Sequence, residues 1–211
     1  MTDLFIKAVA FAADKHKNQR RKDAEASPYI NHPIALANVL ANEGGITNKD
    51  VLCAAMLHDT IEDTETTEGE LRLAFGDKIA SIVLEVTDDK SLDKAARKQM
   101  QIEHAPHISI EAKMVKLADK ISNLRDILST PPAGWPLERK LAYFEWANDV
   151  VAGLRGTNIK LERVFDGLVA QGQALREQPW QVNAFSGFFV FCGSAHCRLY
   201  GPRGDRPITT Q

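Results

Sequence analysis

The sequence predicts an all-α fold, a bundle of about eight to ten helices followed by an irregular tail. Three observations predict it. Apolar residues recur at three- and four-residue steps through residues 2–176, the period of one helix face. Helix start and stop residues punctuate that pattern. No stretch alternates strands with helices, and no internal repeat is present, so a parallel α/β design and a solenoid are excluded.

Thr2 can cap a first helix whose apolar stripe includes Leu4, Ala8 and Phe11. Basic residues Lys15, Lys17, Arg20, Arg21 and Lys22 follow, and DAEASPY reads as a loop. Pro33 suits the first turn of a helix through IALANVLANE, closed by Gly44 and Gly45. Thr47 can cap the next helix, VLCAAMLHDTIED. Thr67 and Glu70 form a capping box before ELRLAF, and Gly76 ends that segment. KIASIVLEVT reads as helix, although its β-branched residues leave a strand open. SLDKAARKQMQIE reads as an exposed helix with a thin apolar stripe. The longest amphipathic helix is IEAKMVKLADKISNLRDIL, with Met114, Leu117, Ile121, Leu124 and Leu128 on one face. PPAGWP breaks the chain before two last helices, LERKLAYFEWANDVVAGL and IKLERVFDGLVAQGQAL.

Residues 1–178 therefore read as one domain, and 179–211 as an irregular tail of no inferable role. In the tail FSGFFVFC can form a short strand without an obvious partner. Cys192, His196 and Cys197 supply three potential zinc ligands without a fourth.

At 211 residues the chain can bury a sizeable core without staples. Its net charge of −2 argues against general binding to nucleic acid or acidic membranes. Three cysteines do not make a disulfide framework, so a reducing compartment, the cytoplasm, is expected. The first segment is periodic and carries an early acid, unlike a signal peptide. No apolar run approaches the roughly 20 residues of a membrane span.

The informative segment is HDTIED, residues 58–63. On one helix, His58 sits over Glu62 and Asp59 over Asp63. Turning that many acids toward an interior is costly without a compensating cation. An adjacent His–Asp pair can ligate one metal where its helix ends or bends. Further ligands would come from elsewhere. His32 begins a helix in YINHP, and Asp119 lies amid Leu117, Ala118 and Ile121. Two imidazoles with two carboxylates suit Mn²⁺, Fe²⁺ or Zn²⁺ better than Mg²⁺ or Ca²⁺. Each residue also has a plainer reading. His32 can cap a turn, Asp119 can pair with Lys116 or Lys120, and HD alone can be a solvated helix end.

At these residues the chain resembles the HD-domain hydrolases of the RelA/SpoT type, and especially the small stand-alone metazoan SpoT homologues. The matching segments are HKNQRRKD, PYINHP, LHDTIEDT, KLADKISNLRD and YFEWA, spread over roughly residues 1–176. The resemblance implies an HD-domain helical bundle that hydrolyses guanosine 3′,5′-bis(diphosphate), ppGpp, at the 3′ position to GDP and pyrophosphate. It implies one Mn²⁺ ion, held by His32, His58, Asp59 and Asp119, with Glu62 and Asp63 as catalytic carboxylates. A metal-activated water with a nearby carboxylate agrees with that chemistry. For the substrate it points to Arg21, Lys22 and Asn123, and less directly to Tyr29, Lys94, Arg139 and Tyr143. Two alternatives stay open: removal of the 2′-phosphate of NADPH at the same site, and an inactive nucleotide-binding protein. The loop RRKDAEASPYINHP is slightly longer than in the long bacterial enzymes, and the tail matches nothing associated with the family. His16, His104 and His107 read as structural, and WPLERKLAYFEWA as core and helix surface.

Overall fold

In the computed structural model the chain is described over residues 2–176 and at the strand segments 190–191 and 198–199. Ten α-helices occupy the first stretch: α1 Thr2–Lys15, α2 Asn31–Asn38, α3 Lys49–Leu57, α4 Thr60–Asp63, α5 Glu68–Phe75, α6 Asp77–Val86, α7 Lys94–His104, α8 Ile110–Ser129, α9 Leu137–Ala152 and α10 Ile159–Ala174. The all-α expectation holds, and KIASIVLEVT forms helix α6 rather than a strand.

Helix α3 is the centre of the bundle. Six of its residues, Val51, Cys53, Ala54, Ala55, Met56 and Leu57, are buried, and α1, α2, α6 and α8 all pack on it. Its alanines let four neighbours approach at once. Its cap is Asn48, whose side chain accepts from the Asp50 N–H at 2.9 Å, one residue beyond the expected Thr47. Helix α8 supplies the other half of the core through Val115, Leu117, Ala118, Ile121 and Leu124. Ser109 caps it through the Ala112 N–H.

Helix α2 ends in a π-helical turn, Val39–Glu43, in which the Gly44 N–H reaches back to the Val39 carbonyl at 2.9 Å. The wide turn places Glu43 against Arg125 of α8 in a two-pronged pair, both contacts 2.6 Å. A side chain at Gly44 would lie 2.8 Å from the Leu40 carbonyl and 3.1 Å from Leu161 of α10, so only glycine lets α10 pack this close. Helix α7 differs from the rest. It is capped by Asp93, buries none of its residues and rests on α9.

The chain divides into two compact units, Met1–Glu177 and Gln178–Gln211. In the second, Val190–Phe191 pairs antiparallel with Arg198–Leu199, so the expected strand has a partner within the tail. Helix α1 starts at Thr2 itself, so Thr2 is its first residue and not a cap ahead of it, and the Cys192, His196, Cys197 set lies outside the described residues.

Candidate metal centre and its cleft

The HD pair sits where a helix breaks. Helix α3 stops at Leu57, His58 is its C-cap, and Asp59 takes φ −97° and ψ −2° before α4 starts at Thr60. That backbone lies in the bridge between helical and extended regions, where site residues often sit. The expected continuous helix over HDTIED is therefore two helices with a corner. The corner turns two consecutive side chains toward one point, which a straight helix would hold about 100° apart.

The His58 ring donates from Nδ1 to the Ala55 carbonyl at 2.9 Å. This leaves Nε2 facing the site, placed to offer its lone pair to a cation. Nε2 is buried and has no hydrogen-bond partner, although it lies 2.9 Å from Asp59 Oδ2. The two atoms stand side by side without the alignment of a hydrogen bond. Adjacent ligands at right angles on an ion with bonds near 2.1 Å are about 3 Å apart. His32, from the first turn of α2, brings Nε2 to 3.8 Å from Asp59 Oδ2 and 3.2 Å from Asp119 Oδ1. Donor atoms of His32, His58 and Asp59 all lie within 4.8 Å of one another, and Asp119 joins them through His32. The buried, unpartnered nitrogen and the mixed donor set fit a divalent cation.

The charges agree. Burial alone would depress the His58 imidazole, but Asp59 and Asp119 outweigh it and carry it up to about 9. Burial would raise both carboxyls. His58 and His32 hold Asp59 below the usual range, and Lys120 with His32 does the same for Asp119. The site attracts positive charge, which a divalent ion would supply.

Outer contacts orient the donors. The Tyr29 hydroxyl donates to Asp59 Oδ2. Asn123 donates to Asp119 Oδ1 at 2.6 Å, and Lys120 Nζ stands 3.2 Å from its other oxygen. Of the two lysines available to Asp119, Lys120 is the partner, while Lys116 reaches the Val86 carbonyl.

The two flanking carboxylates separate. Glu62 is half-buried and accepts from the Asp88 N–H at 3.2 Å. Burial first, then Asp88 and Asp59, push it up to about 7. Asp63 turns away, pairing with Lys90 at 2.5 Å and accepting from Gln19 at 3.0 Å.

A cleft of about 520 Å³ opens over the centre, and its walls include Arg21, Lys22, Tyr29, Lys94, Asn123, Arg139 and Tyr143. Arg21 pairs with Asp126, and the Lys22 carbonyl accepts from Ala133 at 2.9 Å, which fixes the basic loop to the PPAGWP turn. On the opposite wall, sequence reasoning reached Lys94, Arg139 and Tyr143 but not Trp135, Trp146, Lys98 or Lys120. Trp135, Tyr143 and Trp146 form an aromatic row there, with ring centres 6.1 and 5.1 Å apart. Arg139 lies 4.1 Å over Trp135, and Lys98 and Lys120 lie 4.6 and 4.3 Å from Trp146. Burial first, then Lys94, Lys120 and Arg139, lower the Lys98 ammonium. The WPLERKLAYFEWA segment thus lines a cleft instead of serving only as core and helix surface. The signal available was the step from Lys94 to Lys98 to Gln101 on one face of α7.

The broken central helix of this bundle brings adjacent His and Asp beside a His of α2 and an Asp of α8, and the chain belongs to the HD domain family, matched over residues 8–142. Within that family it is similar to particular proteins. It is 58% identical over 163 residues to guanosine-3′,5′-bis(diphosphate) 3′-pyrophosphohydrolase MESH1 of Xenopus tropicalis, which covers 77% of this chain and 91% of that protein. The Homo sapiens protein of the same name is 55% identical over 79% of this chain and 93% of its own length. A solved structure described as a metazoan ortholog of SpoT that hydrolyzes ppGpp and plays a role in starvation responses superimposes with a TM-score of 0.78. It is 47% identical and covers 80% of this chain and 95% of that one.

Proposed function

We propose that this chain is a guanosine-3′,5′-bis(diphosphate) 3′-pyrophosphohydrolase. The observation that carries the reading is the buried His58 Nε2, unpartnered beside Asp59 in a cleft walled by cations. Sequence identity of 55–58% to relatives of that name supports the substrate. Residues 1–178 would carry the activity. The proposed setting is the cytoplasm, where Cys53, a buried free thiol, stays reduced. Among the described residues no helix is long and apolar enough to cross a membrane.

In this reading His32, His58, Asp59 and Asp119 hold one divalent ion, proposed to be Mn²⁺, with Fe²⁺ or Zn²⁺ suited to the same donors. When bound, the ion supplies Lewis acidity that draws charge from a phosphoryl oxygen and acidifies water. Glu62 takes the proton from the attacking water, its basicity tuned to neutral pH by burial and Asp88. Asp63, paired with Lys90, contributes charge and position rather than the first proton transfer. Water adds to the 3′ pyrophosphoryl group, its bond to the ribose 3′ oxygen breaks, that oxygen takes up the proton Glu62 removed, and GDP and pyrophosphate leave. Lys94, Lys98 and Arg139 hold the substrate's remaining charge. Asn123 orients Asp119 and borders the nucleoside, while Arg21, Lys22, Tyr29 and Tyr143 shape its near wall.

A second reading, removal of the 2′-phosphate of NADPH by the same groups, is supported by the aromatic row, which offers a stacking surface for a second base. One metal-loaded preparation, assayed for bound metal and for products from both substrates, tests the two. GDP and pyrophosphate from ppGpp, lost on chelation and restored by Mn²⁺, are expected. Absence of ppGpp turnover in a metal-replete sample would overturn the first reading, and faster phosphate release from NADPH would favour the second.

A further inference from the structure

We infer that Asp88 is a positioning residue for Glu62, and that Gln101 and Lys116 hold Asp88 in place for that task. This rests on Glu62 acting as the base in the proposed hydrolysis. Asp88 lies in the connector between α6 and α7. Its backbone N–H donates to Glu62 Oε2 at 3.2 Å. Its own carboxylate is gripped from two other helices. Gln101 of α7 donates from Nε2 to Oδ2 at 2.5 Å, and Lys116 Nζ of α8 stands 3.5 Å from Oδ1. The Lys116 ammonium, nearly buried, also donates to the Val86 carbonyl at 3.0 Å. The connector is thereby fastened at two points, and the Glu62 carboxylate is referred to α7 and α8 as well as to its own short helix.

None of these three residues is a candidate metal ligand. They stand in the wall between the main cleft and a side cavity of about 220 Å³. The groups facing Glu62 are Asp59 from the corner, Asp63 from α4, Asp88 from the connector and Lys116 from α8. A cation on the ligands offsets Asp59, and Lys90 offsets Asp63 at 2.5 Å. Lys116 stands farther from Asp88, at 3.5 Å, so Asp88 remains the carboxylate that keeps Glu62 a competent proton acceptor. Its backbone supplies direction and its side chain supplies charge.

Asp88→Asn preserves size and the backbone N–H and removes the charge, and the Gln101 amide can turn its unpartnered Oε1 to the new side chain. The acid limb of the kcat/KM pH profile is expected to move about one pH unit lower, with kcat reduced severalfold. Manganese affinity, measured by calorimetric titration with MnCl₂, should not change. Gln101 is half-buried on a helix with no fully buried residue, so Gln101→Ala is expected to fold. It is expected to lower kcat about tenfold with little change in KM or in Tm. Wild-type kcat and pH profile in both variants, with Glu62→Gln inactive, would refute the role of Asp88 and leave the base assignment standing. Wild-type turnover in Glu62→Gln would instead remove the base assignment, and Asp88 would have nothing to position.

Discussion

Replacing Glu62 by glutamine is expected to abolish turnover and, at alkaline pH, to stabilise the fold. The carboxyl moves from its ordinary 4.5 to about 7 on folding, chiefly by burial and then by Asp88 and Asp59. The folded chain therefore holds this proton more tightly than the unfolded chain. Stability falls as pH rises from about 4.5, and the loss is complete above about 7. At about 1.4 kcal/mol per pH unit the full displacement corresponds to about 3 kcal/mol. The carboxylate keeps partial contact with water, and screening reduces this to about 2 kcal/mol. Glutamine retains an oxygen for the Asp88 N–H and carries no charge to desolvate. Urea unfolding of both proteins with chelator present should give the variant an advantage of about 2 kcal/mol at about pH 8, vanishing toward about pH 4. The same variant, metal-loaded, should turn over at least about a hundredfold more slowly. A variant no more stable than wild type at alkaline pH, or one with a pH-independent gain, would refute the account of Glu62 as a buried, like-charge-loaded acid.

Two further outcomes are expected. Lys98→Ala should raise KM for ppGpp about tenfold, the loss of one charge-assisted contact, with kcat preserved; an unchanged KM in steady-state assays at low salt would remove the α7 wall from substrate binding. Gly172→Ala places a methyl 2.4 Å from the Phe144 ring and should cost about 1–3 kcal/mol by overpacking, read as a lower urea midpoint with an unchanged slope.

Much of this was legible from residue order. Helix period and caps located the bundle, because burying one face of each helix leaves a clear trace in the chain. The HD pair and Asp119 stood out as polar groups in apolar surroundings, and His32 as the start of a helix after a loop. The corner at Asp59 did not, since nothing local in HDTIED forbids a continuous helix; the break is set by how α3 and α4 pack. Glu62 and Asp63 looked equivalent for the same reason, and only the connector at Asp88 and the Lys90 pair tell them apart. Trp135 and Trp146 read as core because an aromatic at helical spacing carries the same signal whether it meets a neighbour or a cleft. Lys98 carried no signal of its own, since the ring beneath it comes from another helix.

No residue of helix α7 is fully buried, yet its inner face carries Lys94, Arg97 and Lys98 over the cleft. Surface exchanges of this kind change folding free energy by within about 0.5 kcal/mol. On the proposed function, exposed positions of α7 can therefore change which polyanion is admitted, while the interior proposed to hold the ion, where each change is felt by the whole bundle, stays constant. On that reading, ion binding and substrate choice draw on different parts of the same small fold.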